Sequence, residues 1–204
     1  MENKLIKKIL KVYQIFDRYN NYIFYKKISK LPNLNYISLL DIGSSYDIEP
    51  RWKKIKQKLN YFGLEPNNEL ASELIKQNRD CYKYNIISKL ISNKKEYTNF
   101  NICRDPGVSS ILKPNLNFLS NFQNSKRFNI EKEVKLEADT LDNLIYEEID
   151  FIKIDIQGAE MKALEGAEKI LNKTIGLEVE VEFQPMYVDQ PLFEIAMKLE
   201  EIAL

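Results

Sequence analysis

Tyr36-Ile37-Ser38-Leu39-Leu40-Asp41-Ile42-Gly43-Ser44-Ser45 decides the fold. Apolar residues sit on both alternating faces of this short run, which is the mark of a strand covered on both sides, as in a parallel sheet. The run ends in a carboxylate and then a glycine. Glu65 follows Gly43 by 22 residues, at the end of a second apolar run, 60–65. A doubly wound sheet that binds a nucleoside is built this way: the glycine lets a ligand approach the first turn, and the acid after the second strand accepts hydrogen bonds from ribose hydroxyls.

Working outward, further strands are expected over 82–87, 151–156 and 175–183, with helices over 67–79 and 159–172. Asn67 and Asn68 are good helix N-caps directly after Pro66. Ala163 and Gly166 are small enough to bring the later helix close to the sheet. Residues 94–138 break the alternation of strand and helix. Thr98, Phe100 and Ile102, and later Phe128, Ile130, Val134, Leu136 and Ala138, repeat with a period of two, the pattern of half-exposed strands. Turns are marked by Asp105-Pro106-Gly107 and Lys113-Pro114-Asn115. The insert is expected to be an antiparallel flap over one end of a mostly parallel α/β sheet.

Composition narrows the chemistry. The 204 residues are 44% hydrophobic and 29% charged, with 30 basic and 30 acidic side chains, an ordinary globular balance. There is no histidine, which excludes serine-histidine-aspartate hydrolysis, HExxH zinc chemistry and any imidazole base. Cys81 and Cys103 cannot make a four-cysteine zinc site or a disulfide framework, and no metal site is expected. With no long apolar run and no secretory signal, the chain reads as cytoplasmic. Residues 1–30 carry eight Lys/Arg against Glu2 and Asp17, a net +6. Leu5, Ile9, Val12, Phe16, Tyr19 and Ile23 form one apolar helical stripe there. Two readings stay open for this segment: an arm docked on its own domain, residues 31–204, or on a second copy, and a basic amphipathic helix resting on an anionic membrane surface. Few arginines and no aromatic platform argue against a nucleic-acid partner.

The first turn also selects among nucleosides. A dinucleotide places a pyrophosphate against a Gly-x-Gly-x-x-Gly loop, and here Ser45 and Ile48 occupy the second and third glycine positions. A nicotinamide-dependent oxidoreductase is therefore disfavoured. Asp41 would repel a phosphate but would suit the ammonium or sulfonium of S-adenosylmethionine. The second constellation is Asp150-Phe151-Ile152-Lys153-Ile154-Asp155-Ile156-Gln157-Gly158-Ala159-Glu160, in which a strand delivers Asp155 to the sheet edge and Gly158 turns into a helix. Glu178, Glu180 and Glu182 share one strand face and repel one another, with Lys153, water or, less favourably, a metal ion available to offset them.

These residues resemble the FkbM family of S-adenosylmethionine-dependent methyltransferases. The likeness rests on the Asp150–Glu160 motif, Leu164-Glu165-Gly166-Ala167, and Glu178–Phe183 with Pro185, Tyr187 and Gln190-Pro191-Leu192-Phe193. Ala138-Asp139-Thr140-Leu141-Asp142, Pro106–Leu112 with Pro114-Asn115, and Gly63-Leu64-Glu65-Pro66 support it. The resemblance implies a doubly wound, Rossmann-like class I methyltransferase sheet, S-adenosylmethionine as methyl donor, and O-methylation of a hydroxyl on a sugar, glycan or other small-molecule acceptor. It puts Ser44, Ser110 and Asp155 beside Asp41, Gly43 and Glu65 as cofactor contacts. An alcohol needs somewhere to send its proton, so a carboxylate base is expected, with Asp155 first and Glu182 second. Asp155 can instead pair with the methionine ammonium. Glu160, one turn into its helix, is expected to stabilise the helix start. The chain ends at Leu204, before the hairpin that closes such a sheet, so strand 175–183 is expected at an open edge, with a homodimer as one way to cover it. The competing reading is a catalytically impaired, cofactor-binding or structural remnant of the fold.

Overall fold

The computed structural model describes residues 35–46, 48–77, 80–192, 194, 195 and 198. The basic helix expected over 1–30 lies outside the described residues. The described residues form eight strands: β1 (Ile37–Ile42), β2 (Leu59–Leu64), β3 (Lys83–Ile87), β4 (Leu90–Ile91), β5 (Glu96–Cys103), β6 (Ile130–Asp139), β7 (Phe151–Ile154) and β8 (Gly176–Val179). The main sheet has the order β3-β2-β1-β7-β8, and all of its pairings are parallel. The remaining strands form a second sheet, β4-β6-β5, in which β5 and β6 run antiparallel. The flap expected over 94–138 is this β5–β6 pair.

The strand sequences explain the layering. Leu40, Ile42, Phe62, Leu64, Ile152 and Ile154 point to one face, where Leu141, Ile145, Ala163, Leu164 and Ile170 cover them. Leu39, Leu59 and Tyr61 point to the other, against Ile48, Trp52 and Ile55. Both faces are dry, so the strands need apolar residues at nearly every position.

Among the described residues, short α-helices accompany the strands: α1 (Pro50–Lys53), α2 (Asn68–Gln77), α3 (Leu116–Leu119), α4 (Leu141–Leu144), α5 (Glu160–Glu165) and α6 (Glu168–Leu171). Asn67 caps α2 by accepting from the Glu69 amide at 3.0 Å. The helix expected over 159–172 is two helices. Gly166 ends α5, and a β-carbon there would stand 2.6 Å from the Ser92 carbonyl oxygen, so the chain passes too close to a neighbouring backbone to carry a side chain. The Asp139–Asp142 motif organises the join: Asp142 accepts from the amides of Lys169 (3.0 Å) and Ile170 (3.1 Å), capping α6, while Thr140 caps α4 through the Asn143 amide.

Strand 151–156 stops at Ile154, because the next residues turn: Gln157 and Gly158 both have positive φ, 59° and 94°. Strand 175–183 stops at Val179, so Glu180 and Glu182 stand beyond the ladder instead of in a strand row with Glu178. Among the described residues no strand pairs with the outer side of β8. Among them, too, no helix is long and apolar enough to cross a membrane.

Candidate active site

Parallel strands end together, so the loops after β1, β2 and β7 meet at one edge of the sheet. Gly43 makes the first turn with φ of 86° and lies so close to β7 that a β-carbon would fall 1.9 Å from the Asp155 carbonyl oxygen. The two strand ends stay tied by the Asp155 amide donating to the Ile42 carbonyl at 3.0 Å. Above this junction lies a cleft bounded by Asp41, Gly43, Ser44 and Ser45 from the first turn, Glu65 and Pro66 from the second, and Lys153, Asp155 and Gln157 from the third. The flap supplies Phe100, Pro106, Gly107, Ser109 and Ile111 as the opposite wall.

Glu65 is almost wholly buried, at 3% exposure. Burial raises its pKa above the ordinary carboxylate value, partly offset by hydrogen bonds from the Asn67 amide (2.8 Å) and the Ser45 hydroxyl (2.9 Å). An ionised carboxylate has about four acceptor positions, so two remain for a ligand.

Asp41 borders the same cleft, yet its charge is met from within the protein. The Tyr61 hydroxyl donates to it at 2.8 Å and the Lys153 ammonium stands 3.5 Å away. Burial holds the Asp41 carboxyl above its usual range against these two opposing partners. Burial pulls Lys153 down, but Asp41, Asp155 (3.5 Å) and Glu49 (3.8 Å) outweigh it and leave the ammonium more basic than usual. Asp41, Lys153 and Glu178 occupy one row across β1, β7 and β8. Lys153 nevertheless turns to Asp41, and Glu178 pairs with Arg51, which also holds Glu49. Of the offsets expected for the glutamates, Lys153 is thus engaged by Asp41, Glu49 and Asp155, and Arg51, which the strand pattern does not single out, meets Glu178.

Ser110 does not reach the cleft. It is buried at 1% exposure, where its hydroxyl donates to the Gln157 carbonyl at 2.7 Å and accepts from the Leu112 amide at 3.0 Å. It shapes the β7 turn, and its neighbours Ser109 and Ile111 form the wall. Glu160 is also structural: buried, it accepts from the amides of Ile156 (2.9 Å) and Gly158 (3.1 Å) and braces the same turn. Glu182 lies apart from the first cleft, on a second one that it shares with Glu180, Phe122, Arg127, Phe128 and Met186. Gln157 borders both. The site thus brings together Asp41, Gly43, Ser44, Glu65 and Asp155, and leaves Ser110 behind the wall and Glu182 across it. Gln157 and Glu180 stand just past strand ends and join Asp155 where the clefts meet; the period of two groups Glu180 with Glu178 and Glu182 but does not bring it to Gln157.

Residues 41–202 match the model of the methyltransferase FkbM domain. The chain belongs to the FkbM methyltransferase family. No curated protein matches it significantly. Among solved structures, the FkbM methyltransferase from Methylobacillus flagellatus KT is similar, with 14% identity and a TM-score of 0.45, over 74% of this chain and 34% of that one. This FkbM-family chain therefore spans 34% of the length of that relative.

Two carboxyls of this FkbM domain titrate far from the ordinary range. Burial, then Asp155 and Glu182, push Glu180 up to about 8; burial, then Glu160 and Asp155, push Glu182 to about 7. Both bind a proton more tightly folded than unfolded, where the usual value is 4.5. The stability they contribute is fully present below that value and is lost as the pH rises through about 7 and about 8. The thermal midpoint is expected to fall across this window, and Glu182→Gln, which mimics the protonated form, should flatten the fall. A midpoint with the same pH slope in variant and parent would contradict this.

Proposed function

We propose that the chain is an S-adenosylmethionine-dependent methyltransferase that methylates a hydroxyl of a sugar, glycan or other small-molecule acceptor. The observation that carries the reading is the charge of the first cleft. Four acids border it, Asp41, Glu49, Glu65 and Asp155, against two lysines, Lys89 and Lys153. Lys89 is occupied by Glu137 at 2.8 Å, and Lys153 is shared among three carboxylates. Such a cleft suits a cationic nucleoside and opposes a pyrophosphate. The donor set fits: Glu65 has acceptor capacity left for ribose hydroxyls, the Gly43 turn lies beside it, and Asp155, with its side chain 35% exposed, is available to an ammonium or a proton.

When bound, the cofactor supplies a methyl group already activated by its sulfonium. The protein then has to orient the acceptor oxygen, keep competing water out and receive a proton. Asp155 and Glu180, bridged by the Gln157 amide at the junction of the two clefts, are suited to the last task.

Calorimetric titration with S-adenosylmethionine, S-adenosylhomocysteine and NAD tests the cofactor class, with the first two expected to bind and the third not. Glu65→Gln keeps the shape and removes the charge. Losing charge-assisted hydrogen bonds, worth about 1.5–3 kcal/mol each, should weaken S-adenosylmethionine by roughly tenfold to a hundredfold. Unchanged affinity would remove Glu65 from the cofactor site.

A further inference from the structure

Gln157 stands where the two clefts meet, and it is held there from four directions. It adopts a positive φ of 59°, an uncommon conformation for a residue other than glycine. The buried Ser110 hydroxyl fixes its carbonyl at 2.7 Å. Its side-chain nitrogen donates to Asp155 Oδ1 at 2.7 Å and to Glu180 Oε2 at 3.0 Å. Its side-chain oxygen lies 3.1 Å from the Tyr187 hydroxyl, itself buried at 1% exposure and anchored on the Val108 carbonyl at 2.9 Å. The amide has two N–H donors, and each goes to a different carboxyl.

Those carboxyls belong to different walls. Asp155 faces the first cleft and Glu180 the second. A single amide therefore holds the two carboxyls side by side, where one shared proton would relieve their repulsion. Without a common donor, two acids this close would repel and part.

We propose that Gln157 is a positioning residue that clamps Asp155 and Glu180 into one proton-sharing pair at the seam of the clefts, and that this pair receives the proton leaving the acceptor hydroxyl. The inference rests on the methyl-transfer reading. In the step, the acceptor oxygen gains the methyl carbon, the carbon–sulfur bond breaks with its electron pair staying on sulfur, and the hydroxyl proton passes to the pair and then to solvent. The charged groups around the pair are Glu182 and Glu160, which oppose its ionisation, and Lys153, 3.5 Å from Asp155, which favours it. Arg127 borders the second cleft but is paired with Asp105 at 3.3 Å. Tyr187 stays neutral, since burial pushes its hydroxyl far above the usual range.

The test is the titration of the Glu180 carboxyl, followed by carbon NMR in protein labelled at glutamate side-chain carboxyls and assigned through Glu180→Gln. Gln157→Leu removes both donors at similar volume. Gln157→Gly removes them while relieving the positive-φ backbone, so the two variants differ in backbone strain but share the lost amide. Without the clamp the two carboxyls part and Glu180 loses the neighbouring acid that opposes its ionisation, so both variants should lower the Glu180 midpoint by about one pH unit. Gln157→Asn, whose amide is one carbon shorter and at ease with positive φ, should recover part of that shift. A midpoint that stays put, or rises, in both Gln157→Leu and Gln157→Gly overturns the clamp. Calorimetry of the parent with S-adenosylmethionine stands apart: failure to bind sinks the methyl-transfer reading, whatever the carboxyl titration shows.

Discussion

Lys153→Met is expected to lower the thermal midpoint by roughly 6–20 °C. The lysine side chain is 13% exposed and the Asp41 side chain beside it 8%, so this ion pair is largely removed from water. Deleting one member of a buried pair strands the other charge and costs about 3–5 kcal/mol, and in a domain of this size each kcal/mol moves the midpoint by roughly 2–4 °C. Among the described residues, Asp41 would then keep the Tyr61 hydroxyl as its side-chain partner. Asp41→Asn in the same chain removes the stranded charge and should restore most of the loss, because a buried pair replaced as a whole is often near neutral. Differential scanning calorimetry on the two single variants and the double variant checks this. A double variant no more stable than Lys153→Met would show that the lysine acts by packing instead of by charge.

Gly43→Ala is expected to abolish ligand binding in the first cleft as well as to destabilise the fold. The added carbon would meet the Asp155 carbonyl at 1.9 Å and the carbonyl carbon at 2.9 Å, and backbone atoms cannot swing away as a side-chain end can. The strain of positive φ, about 1–2 kcal/mol, adds to about 1–3 kcal/mol for overpacking. Because the clash lies between the ends of β1 and β7, relief comes only from parting the strands that floor the cleft. Gly158→Ala offers the contrast: its carbon would meet the side chains of Leu112 and Gln190 at 3.1–3.3 Å, which can give way, although φ is again positive. Equal S-adenosylmethionine affinities for Gly43→Ala and the parent, by calorimetry, would contradict the placement of that turn.

Much of this fold is legible in the sequence because its strands are dry on both faces. Runs such as 37–42 and 59–64 admit few polar residues, and those few, Asp41 and Asn60 among them, are themselves buried. The antiparallel flap is legible for the opposite reason: its outer face is wet, so β6 alternates. The ends of elements are harder to read. Strand 151–156 looks continuous to Ile156, but the turn at Gln157 begins early because Glu160 and Ser110, neither adjacent in sequence, hold its amides and carbonyl. Periodicity puts Lys153 on one strand face and Glu178 on another, and the structure sets the two side by side. The pattern carries no strand order, so it cannot say that Asp41 lies on the lysine's other side or that Arg51 reaches Glu178 from a helix. Ser110 is a similar case: its motif implies proximity to the cofactor cleft, and the structure gives it a supporting place one layer behind.

The pairing of β1 with β7 also bears on how the molecule comes into being. Asp41 and Lys153 are 112 residues apart in the chain, and the insert must be made before they can meet. The first cleft takes its floor from both sides of this pairing, so a ribosome that has released only the first hundred residues has produced β1, β2 and β3 but no site. The flap, whose two long strands pair with each other, can zip independently of the central strand order, whereas the β1–β7 closure must wait for the later half of the chain and carries the larger loop-closure entropy. Until then the edge of β1 is an apolar ladder without its neighbour, open to pairing with other chains. The step that completes the binding cleft is the same step that retires this exposed edge during synthesis.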